Sequence, residues 1–146
     1  MNELTLLQAN QIIEAALAKA REMALPPLSV AVLDAGGHLK ALQREDGQSF
    51  LRVQVCQAKA WGALALGTNS ANIATRYEQG KRQEGFVGAV NAMTGGRLVP
   101  LPGGVLIKHS SGATIGAVGV AGAASEDDES CAVAGIAAAG LSASND

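Results

Sequence analysis

A chain of 146 residues with 48% apolar side chains can bury a substantial core and is too short for two ordinary domains, so residues 1–146 are expected to form one folded domain. A formal net charge of −2 and only four aromatic residues, Phe50, Trp61, Tyr77 and Phe86, exclude the cationic, stacking surface that nucleic-acid binders require. The apolar content comes largely from Ala, Val and Leu beside 18 Gly, which lets elements approach closely in a small-residue core or an oligomer interface.

Met1-Asn2-Glu3-Leu4-Thr5 carries neither the basic nor the apolar region of a signal peptide. No apolar run approaches the roughly 18 residues that a membrane span needs. Cys56 and Cys131 lie far apart and suit neither a disulfide scaffold nor a paired-cysteine zinc site. A cytoplasmic protein with reduced thiols and no membrane partner is expected.

Leu6, Ala9, Ile13, Ala16, Ala20 and Met23 recur at steps of three and four, which predicts an amphipathic helix over 5–24. Thr5 and Gln8 form a capping-box pattern at its start, and Pro26-Pro27 cannot continue it. Residues 28–33 are apolar and valine-rich, Asp34-Ala35-Gly36-Gly37 supplies turn chemistry, and 38–45 completes a hairpin. Helices are expected over 49–66 with Gly67 as C-cap, over 70–79 ending at Gly80, and over 83–93 ending at Gly95-Gly96.

Pro100-Leu101-Pro102-Gly103-Gly104 breaks the chain before a second hairpin, with strands at 105–109 and 113–121 around a turn at Ser110-Ser111-Gly112. Ser125 is expected to cap a last helix whose first turn holds Glu126, Asp127, Asp128 and Glu129, where negative charge meets the positive end of the helix dipole. Its body, 132–139, is apolar nearly all round and calls for burial against other helices or another subunit. The order helix, hairpin, helices, hairpin, helix specifies an α+β domain with helices packed on an antiparallel sheet.

No two glycines stand two positions apart, so Gly-x-Gly-x-x-Gly cannot occur, and no phosphate-cradling P-loop or nucleophile elbow is present. No nucleotide cofactor is expected. His38 and His109 are the only histidines, which gives no metal motif. His38 follows a glycine turn and reads as an exposed hairpin residue or as a ligand to iron or substrate. His109 shares a predicted strand face with Val105 and Ile107 and reads as a hydrogen-bonded structural histidine or an iron ligand. Met23, Met93, Cys56 and Tyr77 are chemically able to ligate haem iron, although such residues are more often core fillers.

Gly116, Gly119 and Gly122 recur every third residue, a spacing that matches no single face and admits another backbone or a flat ligand. Lys59, set among alanines, is suited to clamp a carboxylate or to pair with Asp34 or Asp46 as a structural bridge.

In order along the chain, Val32-Leu33-Asp34-Ala35-Gly36-Gly37-His38-Leu39, Arg44-Glu45-Asp46-Gly47, Ala58-Lys59-Ala60, Gly103-Gly104-Val105, the segment Ile115 to Gly122 and Glu126-Asp127-Asp128-Glu129 resemble the GlcG/HbpS-like family. That family includes haem-binding HbpS and the C-terminal domain of PduO-type cobalamin adenosyltransferases. The resemblance implies a profilin-like α+β fold with a central antiparallel sheet. It also implies homo-oligomers built from dimers into rings or octamers, haem or a related tetrapyrrole as ligand in some members, and an accessory place in operons of glycolate, diol or glycerol metabolism. Two positions depart from the family pattern: Gly103-Gly104-Val105 is followed by Leu106 rather than Pro, and the first helix has no histidine.

Three functional readings follow. In the first, a small-residue pocket near Gly103-Gly104 binds haem, with Arg44 or Lys59 holding propionates and His38 or His109 approaching iron. In the second, the same cationic pocket holds a small anionic or carbonyl metabolite, with Lys59 the residue able to act as base or Schiff-base amine; no nucleophile and base pair is visible to support catalysis. In the third, the protein is a structural or regulatory oligomer.

Overall fold

The computed structural model describes residues 3–146; Met1 and Asn2, where the reading of the amino terminus begins, lie outside the described residues. The elements follow in the order α1 (Leu6–Glu22), β1 (Ser29–Asp34), β2 (Leu39–Arg44), α2 (Leu51–Leu66), α3 (Ser70–Tyr77), α4 (Lys81–Met93), β3 (Gly104–Lys108), β4 (Thr114–Ala121), α5 (Ser125–Ala138) and β5 (Ser142–Ala143). The strands form one antiparallel sheet in the order β2-β1-β4-β3-β5. This is the profilin-like α+β arrangement that the resemblance implies.

The ends of α1 show local chemistry at work. The Thr5 hydroxyl accepts from the Gln8 N–H while the Gln8 side chain accepts from the Thr5 N–H, a complete capping box. At the other end Ala24 takes a left-handed φ of 56°, and Leu25 N–H reaches back to the Ala20 carbonyl. The helix is thus closed by a six-to-one bond before the prolines are reached.

Alternation along the strands divides the sheet into two buried faces. Val30, Val32, Val105, Ile107, Val118 and Val120 pack under α1 and α5 with Ile12, Ile13 and Ile136. Ala31, Leu33, Leu106, Ala117 and Ala121 face α2, which supplies Cys56, Ala60 and Ala63. At Ala31, Ala117 and Ala121 the strand side chains are small because the helix lies almost on the strands there, while Leu33 and Leu106 fill the space beside Ala60 and Ala63. A Cβ at Gly119 would collide with the Cys56 carbonyl, and one at Gly104 with the Lys59 carbonyl.

The other two members of the every-third-residue series meet different neighbours. Gly116 abuts the Leu33 carbonyl of β1, and Gly122 abuts the Pro27 carbonyl and the Gln48 amide. Across the sheet, Gly135 lets α5 approach α1, since a Cβ there would lie 2.5 Å from the Ile12 carbonyl. The last helix thus packs against another helix, as its apolar body calls for, through Ala132, Gly135 and Ile136, while Val133 on its outer side is exposed.

The outer edge of β3 is closed by a polar clip. The Asn69 side chain accepts from Leu106 N–H at 2.8 Å and donates to the Ser144 carbonyl at 2.7 Å, and the Ser70 hydroxyl accepts from Gly104 N–H at 2.7 Å. Asn69, Ser70 and Ser144 are buried with their polar groups paired. Helices α3 and α4 add a satellite cluster of Ile73, Val87 and Leu98, joined to the body through Trp61 and Leu66.

Two tests follow from this packing. Gly119→Ala should lower the free energy of urea unfolding by about 3 kcal/mol, because a helix backbone cannot yield as a flexible side chain does. Gly85→Ala, in α4 with nothing near the added methyl, should instead raise it by about 0.5 to 1 kcal/mol. Equal effects at the two positions would contradict the close approach of α2.

Burial also pushes the Cys56 thiol up to about 12 and the Cys131 thiol up to about 11. The stability contributed by the protonated thiols is complete below the unfolded value of 9.0 and is lost as pH rises through those folded values. Native protein at mildly alkaline pH should therefore resist Ellman's reagent, with both thiols reacting in guanidinium. Fast reaction of either native thiol would refute their burial.

Candidate functional site

The register Asp34↔Gly116 places the β1–β2 turn and the β3–β4 turn at the same end of the sheet. Both histidines therefore lie at that end. Gly37 N–H donates to the Asp34 carbonyl, and Gly37 takes a φ of 83° that favours glycine. Asp34 Oδ1 accepts from the backbone N–H groups of Gly36 and His38, each at 3.0 Å. Those donors, led by His38 N–H, hold the Asp34 carboxyl below its usual range.

The same Oδ1 lies 3.4 Å from His38 Nδ1. The imidazole is otherwise open to solvent, its side chain 82% exposed, and a tautomer with the proton on Nδ1 would leave the Nε2 lone pair free. Gly36 is required for this pose, because a Cβ there would stand 2.9 Å from Nδ1. The ring borders a cleft of about 450 Å3 with Leu4, Ile115 and Thr114 along it and Lys40 beside it. One imidazole, one ammonium, the carboxylates of Glu3 and Asp34 and an aliphatic floor thus share a single opening.

His109 behaves differently. The strand ends at Lys108, and the His109 Nδ1 accepts from Ser111 N–H at 3.2 Å, so the ring is turned back onto its own turn. It does not line the His38 cleft. Arg44 lies at the far end of the hairpin, paired with Ser29, where it borders a separate cleft with Arg21, Glu45 and Asp46. Six-residue strands put Arg44 and the turn about 17 Å apart. The expected meeting of Arg44 with the histidines is corrected on that ground.

Lys59 and the Gly103-Gly104 loop are corrected together. The Lys59 side chain is 3% exposed, and its Nζ donates to Asp128 Oδ2 at 3.0 Å and to the Val120 carbonyl at 2.9 Å. Its partner is neither Asp34 nor Asp46. Asp128 Oδ1 accepts from Ala123 N–H at 3.0 Å, so both carboxylate oxygens receive donors. Burial lifts the Asp128 carboxyl above its usual range while Lys59 draws it back down.

Asp128 thereby closes the start of α5, where Ser125 is the first helical residue and no side chain of the preceding Ala124 caps the helix. Gly103 and Gly104 are filled against Lys59 and Val120 rather than opening a pocket. The ammonium is sealed within the fold and presents no charge to a ligand.

Sequence reasoning missed Asp34 as the partner of His38 and Lys40 as its neighbour, although signals for both were present. An Asp two residues before a glycine pair marks an Asx-type turn, and residues 38 and 40 have the spacing of a shared strand face. It missed Asp128 because one acid within Glu126-Asp127-Asp128-Glu129 carries no mark of burial. Among the described residues no group of three or more His, Cys, Asp or Glu side chains could hold a metal ion, and no helix is long and apolar enough to cross a membrane.

The family described as haem degrading protein HbpS-like matches residues 4–137. The chain belongs to the HbpS-like family. Among solved structures, this HbpS-like chain is similar to HbpS, at 28% identity and a TM-score of 0.77 over 94% of this chain and 90% of that one. A Klebsiella pneumoniae protein, ORFY, is 26% identical with a TM-score of 0.84 over 94% and 90%. A PduOC:heme complex shares the fold at 24% identity and a TM-score of 0.84 over 95% and 96%. No curated protein matches the sequence significantly.

The internal role of Lys59 is directly testable. Lys59→Met should cost about 3 to 5 kcal/mol in urea unfolding by stranding Asp128, and the double variant Lys59→Met with Asp128→Leu should recover much of that loss. A Lys59→Met protein of unchanged stability would show that the ammonium is free for ligands after all.

Proposed function

We propose that this HbpS-like chain is a one-domain binder of haem or a related tetrapyrrole, held at the hairpin end of its sheet with His38 as the iron ligand. The observation that carries the reading is the His38 imidazole, backed by Asp34 at 3.4 Å and facing a cleft of about 450 Å3. That volume falls within the range of small-molecule sites, roughly 300 to 1,000 Å3. The donor set can take the group: an imidazole ligates iron, Leu4 and Ile115 give the macrocycle apolar contact, Asp34 backs the imidazole, and Lys40 offers an ammonium to a propionate in a lining that also holds Glu3.

Membership in a family described as haem degrading, and a fold shared with a protein crystallised with haem, support the same ligand. Bound haem would supply a Lewis-acidic, redox-active iron; the chain would supply its ligand, orientation and solvent exposure. The absence of a histidine in α1 is consistent with a ligand on the hairpin turn, because the inward face of α1 is filled by Ala9, Ile12, Ile13, Ala16 and Ala20 against the sheet and α5.

The fuller reading is a cytoplasmic homo-oligomer, built from dimers toward an octamer, that serves as an accessory protein in glycolate, diol or glycerol metabolism. Two free, buried cysteines suit a reducing compartment. The family resemblance supports the assembly and the metabolic setting.

Titration with haemin should give a saturable Soret shift at one haem per chain. His38→Ala should weaken binding at least about tenfold and change the ligation spectrum, Asp34→Asn should weaken it less, and His109→Ala should leave it unchanged. An unaltered spectrum in His38→Ala, or loss of binding in His109→Ala, would overturn the assignment of the iron ligand.

A further inference from the structure

The β1–β2 hairpin has a second side. Whereas Gly36 and His38 border the cleft described above, Gly37, Leu33 and Leu39 border another of about 400 Å3, on the face that carries α2. Its opposite wall is Trp61, and Gly37 sits against the edge of the indole: a Cβ there would lie 3.1 Å from the ring. Leu33 is buried at the base of the cleft, while Leu39 is half exposed at its rim.

The remaining wall is Arg97, whose guanidinium carbon lies 5.3 Å from the centre of the Trp61 ring. A guanidinium at this distance is attracted to the indole face, and no side-chain hydrogen bond or ion pair among the described residues engages its N–H donors. Arg97 joins none of the ion pairs among the described residues, and it is the only charged residue lining the cleft. An uncompensated cation therefore stands at the mouth of an aromatic and aliphatic slot.

We infer that this cleft is a second binding site, for a small planar monocarboxylate with an aromatic or conjugated body. The carboxylate would take the paired N–H groups of Arg97, the geometry in which Arg outperforms a point charge. The planar body would lie along Trp61 between Leu33 and Leu39. The Gln57 side chain donates from Nε2 to the Val53 carbonyl, which leaves its amide oxygen to accept from a ligand hydroxyl. A polyphosphate or a dicarboxylate demands several cations, and the lining offers one.

The site shares no charged or metal-ligating group with the His38 cleft. Trp61 is the only tryptophan of the chain, and its fluorescence reports directly on this cleft.

The test uses trans-cinnamate as probe and cinnamamide as its uncharged counterpart, followed by Trp61 fluorescence and by calorimetry. Cinnamate should bind saturably at one site per chain, and cinnamamide at least about tenfold more weakly. Arg97→Gln should abolish that preference while leaving the far-ultraviolet circular dichroism unchanged, since Arg97 is exposed; Arg97→Lys should restore part of it. Leu39→Glu, also at an exposed position, should repel cinnamate more than cinnamamide.

His38→Ala should bind cinnamate as the parent does, so failure of the haem reading and failure of this one are separable. Absence of saturation into the millimolar range, equal binding of acid and amide, or an Arg97→Gln protein that still prefers the acid would each overturn the inference.

Discussion

The closest constraint in this molecule is the seating of α2 on the sheet through its own backbone. The carbonyls of Cys56 and Lys59 occupy the space that a Cβ at Gly119 or Gly104 would fill. An interior packed like an organic crystal leaves no slack for even one methyl group at such a point. From this contact the rest of the α2 face follows. The flanking strand residues Ala31, Ala117 and Ala121 must be small, and the Lys59 side chain has nowhere to run but along β4 to the Val120 carbonyl.

Lys59 in turn demands an anion, since an unpaired ammonium in that position would be severely destabilising. Asp128 meets the demand from α5, across β4, and its second oxygen holds the Ala123 N–H just ahead of the helix. One ion pair therefore joins a helix above the sheet to the start of a helix below it. Such pairs are weak contributors to net stability, yet they are strict about arrangement, because any other packing of α2 or α5 would leave a buried charge alone.

Much of this architecture was readable from spacing. The three-and-four rhythm from Leu6 to Met23, the glycine turn at 36 and 37 and the break at Pro100 to Gly104 locate α1 and both hairpins to within two residues. The strand β5 was not readable, because Ser142–Ala143 is too short to show any alternation and is held only by its partners on β3. The glycines at 116, 119 and 122 showed that something approaches the sheet, but period three has no single partner to name: β1, α2 and the Pro27–Gln48 corner each claim one. The site was less legible still. A lysine among alanines looks the same in sequence whether it faces a ligand or an aspartate. What decides between them is the tertiary meeting of positions 59 and 128, which local pattern does not encode.

A filled interior also determines where ligands can go. Both faces of the sheet are covered, by α1 and α5 on one side and α2 on the other, and the glycines that might have opened a pocket instead remove one. Binding must then occur at the ends and edges of the layers, where turns supply the side chains. The β1–β2 turn meets that condition twice, presenting Gly36 and His38 to one side and Gly37 and Leu39 to the other. Adjacent glycines make this possible: the first leaves room for the imidazole and the second for the indole, while the left-handed φ of the second reverses the chain between them. Because turn residues do not pack in the core, the ligand chemistry at this end can change with little effect on the fold. A family likeness can accordingly run through the strands and helices while the side chains that the turns present differ from member to member.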